Sequence, residues 1–232
     1  MPETQSVPAH IGYIVDGNRR WAKKHGIPPY EGHLAGYNTL KDIVFYTFEQ
    51  SGVECVSIYI FSTENWKRPE KEVGAIMKLA MRIFKTELKE FIKRGIRIRV
   101  LGIEAGLTDE LIDAAHKAEE ATKDLSNGTL CICFNYGGQR EIADAARKCV
   151  EDGLSPDEVT EQAIADRLYA PDVPPVDVVV RTSGEQRLSN FMLWRSSYSE
   201  LIFIEKLWPD MRTEDVTAII EEYGTRQRRL GK

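Results

Sequence analysis

Strand-like and helix-like segments alternate along this chain from one end to the other, and that alternation constrains its fold more than any other feature. Residues 10–15 (HIGYIV) read as a first strand. Residues 34–50 carry Leu34, Tyr37, Leu40, Val44, Tyr46 and Phe48 at near-helical spacing, and Gly52 stops that helix. Residues 54–61 (ECVSIYIF) are β-branched and aromatic, which predicts a buried strand. Pro69 starts a long amphipathic helix over 70–93, and Gly95 ends it. Residues 96–102 alternate as a half-exposed strand does. Thr108 caps a helix to about residue 124, and Asn127-Gly128 turns the chain. Residues 129–135 (TLCICFN) form a further strand, and a helix follows Gly137-Gly138. Ser155, Pro156 and Glu158 compose a capping box with proline at the first helical position. Residues 176–180 and 200–204 are two more strands, and Thr213 opens a last helix that runs into a basic tail.

This order of elements predicts an α/β fold: a mostly parallel central sheet of about six strands flanked by helices. With no repeat, no low-complexity tract and no long linker, residues 1–232 read as a single domain, with 226–232 as a C-terminal tail. At 232 residues such a domain buries roughly 70–75% of its unfolded surface, so no staple is required. The net charge of −5 argues against a nucleic-acid partner, which needs a basic face. Cys55, Cys131, Cys133 and Cys149 form no C-x-x-C pair and read as buried free thiols of a reducing compartment. The first ten residues lack the basic and apolar regions of a signal peptide, and no stretch approaches 18 apolar residues. The protein reads as cytosolic.

Ligands of parallel α/β sheets bind beyond the carboxyl ends of the strands, so the segments there matter most. The first strand ends in Asp16-Gly17-Asn18-Arg19-Arg20-Trp21, a short polar turn opening a helix. Glycine allows close backbone approach, a helix start attracts an anion, and two arginines offer forked donors for phosphate. Asp16 would repel that anion unless a cation lies between them, as Mg²⁺ does when it bridges phosphates and carboxylates. The plain alternative is a capping aspartate with surface arginines outside it. A second cluster, Arg181-Thr-Ser-Gly-Glu-Gln-Arg187-Leu-Ser189-Asn190, is a second phosphate cradle or an ordinary polar loop. Phe61-Ser62-Thr63-Glu64-Asn65-Trp66 adds a hydroxyl, an amide and an aromatic wall, or is a side-chain-stabilised turn. Three such clusters at three strand ends favour one site. The chain has no G-x-G-x-x-G after a strand, no P-loop and no G-x-S-x-G elbow. The apolar stripe of residues 70–93 suits plain core or the wall of an apolar tunnel.

These segments are recognisable together. DGNRRWA, Gly32-His33, FSTENWKRP, NYGG, RTSGEQRLSNFMLW and Glu200 resemble the cis-prenyltransferase family, with undecaprenyl diphosphate synthases as the nearest type. The motifs span nearly the whole chain in the family's order, and the DDxxD motif of trans-prenyltransferases is absent, which fits the cis class. The resemblance implies elongation of an allylic diphosphate primer, farnesyl or geranyl diphosphate, by isopentenyl diphosphate to a Z-polyprenyl diphosphate. It also implies Mg²⁺ as cofactor, a homodimer, and a peripheral contact with the membrane for product release. Asp16 resembles the Mg²⁺-binding aspartate, and Gly17, Asn18, Arg19, Arg20 and Trp21 the primer-diphosphate segment, with His33 beside it. Ser62, Asn65, Trp66 and Arg68 match the FSxENWxRP segment, with Asp16 and Asn65 as the catalytic pair and Glu72 following. Arg181, Arg187 and Ser189 match the isopentenyl diphosphate site. Glu200 matches a metal-binding acid that acts across the dimer, and Arg229-Leu230-Gly231 a phosphate-reaching tail. One position departs: Pro29 stands where the family carries an arginine, so one positive contact to the primer diphosphate is missing or is replaced by Arg19 or Lys24.

Two other readings stand beside this one: a catalytically silent partner subunit, and a nucleotide-binding module. The intact set Asp16, Asn65, Arg181, Arg187 and Ser189 opposes the first, and the missing fingerprint glycines oppose the second. Alternation of 54–61 sets Ile60 opposite Tyr59 and Phe61. A β-branched residue there, at a tunnel wall, predicts a short or medium product, at most about undecaprenyl.

Overall fold

The computed structural model describes residues 7–226, so the Arg229-Leu230-Gly231 tail lies outside the described residues. Six strands form one fully parallel sheet in the order β3-β4-β2-β1-β5-β6. They are β1 (His10–Ile14), β2 (Cys55–Ser62), β3 (Ile96–Leu101), β4 (Gly128–Tyr136), β5 (Val178–Arg181) and β6 (Glu200–Phe203). The central strands are buried on both faces, as their continuous apolar runs require. One face packs against α2 (Pro29–Gln50), α3 (Glu70–Lys85), α5 (Asp109–Thr122) and α8 (Thr213–Thr225). The other carries Cys55, Cys131, Cys133, Tyr59 and Tyr136 under Val173, Val176, Phe191 and Met192. All four cysteines are free and buried. No helix among the described residues is long and apolar enough to cross a membrane.

Four local expectations change. The helix expected over 34–50 begins at Pro29, because two prolines set its entry, with Pro28 as cap and Pro29 in the first turn. Its first turns hold Gly32 and Gly36 in place of apolar residues, which hid the period. The helix expected over 70–93 is broken, giving α3 and a separate α4 (Leu88–Lys93). At the break Glu87 is drawn to Lys41 of α2 at 3.1 Å and to Arg82 at 3.4 Å. The capping box at Ser155 forms but covers only a three-residue 3-10 turn, Pro156–Glu158. Thr160 caps the helix beyond it, α7 (Glu161–Ala165), accepting from the Ala163 amide; α6 (Gly138–Glu151) precedes both. Finally, a register shift in β2 between Tyr59 and Phe61 breaks the alternation. Ile60 and Phe61 therefore both pack toward the α2–α3 face, while Tyr59 faces the other side.

His10 begins β1 with no exposed surface. Its Nδ1 donates to the Pro174 carbonyl at 2.9 Å, and its Nε2 accepts from the Ser57 hydroxyl at 2.8 Å. Both nitrogens are thus satisfied by the neutral ring, and burial pushes the imidazole down to about 4. The unfolded chain binds this proton near pH 6.5 and the folded chain does not. This contribution is complete above that pH and is lost as pH falls toward 4, by about 3 kcal/mol in all. Urea titrations from pH 7 to 4.5 should show the slope in the wild type and not in His10→Gln. Equal slopes in the two proteins would contradict the assignment.

Candidate active site

The strand order reverses around β1, which lies between β2 and β5, and a cleft of about 830 Å³ opens beyond their carboxyl ends. Six cationic side chains line it, Arg19, Arg20, Lys23, Arg68, Arg181 and Arg187, against one carboxylate, Asp16. A chain of net charge −5 thus concentrates positive charge at a single concave surface, which suits an anionic ligand.

Asp16 follows β1 and is locked to the segment after β5. Its amide donates to the Thr182 hydroxyl at 3.0 Å, and its carbonyl accepts from that same hydroxyl at 2.7 Å. Gly17 follows with φ of 110°, a left-handed turn in which a Cβ would meet Leu207 at 3.0 Å. The chain then enters α1 (Asn18–Lys24), which carries Arg19 and Arg20 to the cleft. Here α1 lies directly on α2, where a Cβ on Gly32 would sit 2.2 Å from the Asn18 carbonyl, and one on Gly36 2.1 Å from Asn18 Oδ1. The family's Gly-His pair is therefore a packing requirement at Gly32 and a cleft residue at His33.

Arg181, the last residue of β5, is buried and ties two loops together. It donates to Asp16 Oδ2 at 2.9 Å, to the Arg187 carbonyl at 2.6 Å and to Ser189 Oγ at 2.7 Å. Burial pushes the Asp16 carboxyl up. The Arg181 hydrogen bond and charge, Arg20 and the Gly17 amide outweigh it and hold the group below the usual carboxylate range. Ser183, Ser189, Asn190 and Met192 all adopt positive φ in this loop. Such clustering of strained backbone is frequent at functional sites.

On the opposite wall, β2 ends in a capping box between Ser62 and Asn65, so each orients the other. Glu72 is buried beside them and gathers three cleft residues: Arg68 at 3.0 Å, His33 at 3.3 Å and Arg19 at 3.7 Å. Burial pushes the His33 imidazole down, and Glu72 only partly offsets it, so His33 is neutral near pH 7.

Most of the sequence-predicted residues converge here: Asp16, Gly17, Asn18, Arg19, Arg20, His33, Ser62, Asn65, Arg68, Arg181, Arg187 and Ser189 all line the cleft. Three do not. Trp21 turns away to donate to Asp210 at 2.7 Å and to stack on His25. Trp66 donates to Asn135 at 2.8 Å and meets Phe61 edge-on, buttressing the turn from behind. Glu200 opens β6, paired in register with Val178, while Arg181 at the cleft is paired with Phe203. That separation is three residues, roughly 10 Å along the strand, toward the amino ends of the strands. Glu200 instead binds Arg226 at 2.9 Å. One chain does not bring it to Asp16. Of the two cations expected to replace the missing arginine at Pro29, Arg19 lines the cleft and Lys24 does not, and Lys23 lines it as well. Sequence reasoning missed Lys23 and Thr182; the one distinguishing signal for Lys23 was the helical offset of the α1 lysines.

Among the described residues the expected apolar tunnel is not seen. Behind the cleft, between α2 and α3, lies an apolar pocket of about 50 Å³, lined by Tyr37, Leu40, Ile76, Leu79 and Ile83. It is far too small for a polyprenyl chain. Ile60 lines both this pocket and the cleft.

A parallel sheet with a cationic, single-carboxylate cleft at its switch point suits a phosphorylated ligand, and comparison with known proteins gives the class. The model of the family described as putative undecaprenyl diphosphate synthase matches residues 14–231. An isoprenyl transferase of Thermotoga maritima is 44% identical over 97% of both chains. A trans,polycis-polyprenyl diphosphate synthase of Thermobifida fusca, specific for (2Z,6E)-farnesyl diphosphate, is 44% identical over 97% of this chain and 81% of its own. A crystal structure of lavandulyl diphosphate synthase from Lavandula x intermedia, in complex with dimethylallyl diphosphate, superposes with a TM-score of 0.93 at 32% identity. That match covers 97% of this chain and 99% of the other. The chain belongs to the undecaprenyl diphosphate synthase family of prenyltransferases.

Proposed function

We propose that this enzyme condenses isopentenyl diphosphate with an allylic diphosphate primer, geranyl or farnesyl diphosphate, and releases diphosphate with a Z-polyprenyl diphosphate product. The observation that carries this reading is the cationic lining of one cleft around Asp16, drawn from the ends of different strands. Arg19, Arg20 and Lys23 stand on the β1 side for one diphosphate; Arg187 and Ser189 stand on the β5 side for the other. The allylic carbon–oxygen bond breaks with its electron pair on the leaving diphosphate. The π electrons of isopentenyl diphosphate form the new carbon–carbon bond, and a proton leaves its C2. Fixed arginines stabilise the developing charge without reorganising. Asn65 and Ser62, which hold each other, orient the nucleophilic alkene. Asp16, held ionised by Arg181, is a poor proton acceptor, which favours a diphosphate oxygen in that role.

Asp16 also fits Mg²⁺. Among the described residues no three metal-ligating side chains gather, so no all-protein cage exists. One carboxylate completed by substrate phosphates is how Mg²⁺ is commonly held, and it would then neutralise charge on the leaving group. The homodimer reading draws support from β6, an edge strand with Tyr198 and Leu201 exposed and Glu200 out of reach of its own cleft. Membrane contact for product release remains part of the proposal.

Labelled isopentenyl diphosphate offered with each primer, followed by product chromatography, tests the activity; no extended product with either primer would overturn it. Chain length is tested by Ile60→Ala. The small apolar pocket and the β-branched Ile60 favour a short or medium product, so the truncation should shift products to longer chains. An unchanged distribution from a folded, active variant would show that Ile60 does not gate length.

A further inference from the structure

Outside the described chemistry lie the buried Cys55–Cys131 pair, the outer groove between α2 and α3, and Glu185. The two sulfurs are 3.8 Å apart, yet both residues are sealed in the core, and nothing reaches them. The groove, lined by Tyr30, Leu34, Lys71, Lys78 and Leu79, carries no observation that selects an occupant. Glu185 is different, because it touches one arginine from each arm of the cleft.

Glu185 Oε1 lies 3.4 Å from Arg20 Nη1, and its other oxygen accepts from Arg187 Nη1. Arg20 belongs to the segment after β1, and Arg187 to the loop after β5. Both arginines line the cleft, and Glu185 itself does not, so the carboxylate grips them from outside the ligand space. Both are also half-exposed, and two free guanidiniums at such close quarters repel and splay. Arg20 is further anchored on the same loop, donating to the Ser183 carbonyl at 3.0 Å and to the Ser183 hydroxyl. Ser183 and Gly184, both at positive φ, fold the backbone so that Glu185 projects between the arginines.

We infer that Glu185 is a positioning residue that straps the two diphosphate arms together, so that loss of its charge weakens both substrates at once. The inference rests on the two-diphosphate reading above. A carboxylate in such a place has an opposite role open to it, as a competitor that phosphate must displace, and the two roles predict opposite signs. In Glu185→Gln the KM values for primer and for isopentenyl diphosphate should each rise about tenfold, equivalent to about 1.4 kcal/mol, with kcat within about twofold. Calorimetric titration with inorganic diphosphate alone should show weaker binding by a similar factor. That readout does not depend on turnover, so it separates failure of the strap from failure of the assigned reaction. Double-mutant cycles of Glu185→Gln with Arg20→Ala and with Arg187→Ala should both be non-additive. A fall in either KM, a change confined to one substrate, unchanged diphosphate binding, or additive cycles would each overturn the strap. Glu185→Asp, which keeps the charge and shortens the reach, should recover part of the affinity and serves as the second variant.

Discussion

Asp16→Asn should lose about a thousandfold in kcat while its melting temperature stays close to wild type. Among the described residues the carboxylate is the only acidic group lining the cleft, beside six cations, so no other acid of the lining could replace it as the proposed ligand of Mg²⁺. A charge-stabilising contribution of about 4 kcal/mol in the transition state corresponds to that factor. The amide keeps the shape and can still accept from Arg181, which is why asparagine is the informative substitution. Alanine is a harsher test than the sequence implied. Asp16 Oδ2 holds the buried Arg181 at 2.9 Å, and Arg181 in turn holds the Arg187 carbonyl and Ser189. Asp16→Ala would therefore also loosen the second arm, and its KM for isopentenyl diphosphate should rise together with the loss of turnover. Near-wild-type turnover of Asp16→Asn with Mg²⁺ supplied would show the assignment of Asp16 to be wrong.

The largest effect on stability is expected away from the cleft, at Glu141. This residue is fully buried near the start of α6 and receives Arg195 at 2.7 Å, itself almost fully buried. The Tyr136 hydroxyl donates to Glu141 Oε2 at 2.5 Å, and the Tyr169 amide to Oε1 at 3.1 Å. Arg195 also donates to the carbonyls of Val173, Tyr169 and Ala170, so the guanidinium stitches the 169–173 segment onto the sheet. Glu141→Ala would leave the buried Arg195 guanidinium without its counter-charge, and the buried Tyr136 phenol and the part-buried Tyr169 amide without their acceptor. Removing one partner of a buried pair costs about 3–5 kcal/mol. In a domain of this size that lowers the melting temperature by roughly 6–20 °C. Urea unfolding should show the loss, while the KM values of the folded fraction stay unchanged because Glu141 does not line the cleft. A loss below about 1 kcal/mol would mean that the network is redundant.

The side chains of Trp21 and Trp66 could not be placed from motif order alone. Trp21 and Trp66 are adjacent in sequence to cleft residues, but helix and turn geometry point them at Asp210 and Asn135. Local features were readable where local physics governs. Strand runs such as ECVSIYIF must be buried on both faces, Thr108 accepts from the Leu111 amide as a capping residue does, and Gly17 takes the turn only glycine tolerates easily. Glu87 shows the limit: the apolar stripe runs on through residues 70–93, and ion pairs of Glu87 with Lys41 from another helix and with Arg82 accompany the break in it. The β2 irregularity that turns Ile60 and Phe61 to the same face is likewise a property of pairing with β4, which no single-strand alternation contains.

The sequence by itself determined the alternating parallel architecture, the three polar strand ends and the residue types gathered there, because hydrophobic period and turn chemistry act over a few neighbouring residues. Which of those side chains meet was decided only by the tertiary structure. Strand order placed β1, β2 and β5 side by side, and so set Arg181 against Asp16 and Glu185 between Arg20 and Arg187, pairs that lie as far as 165 positions apart in the chain. Strand direction and register likewise kept Glu200 from the cleft, since it starts β6 level with Val178, at the amino end of a parallel strand and away from the carboxyl ends where the ligand cleft forms.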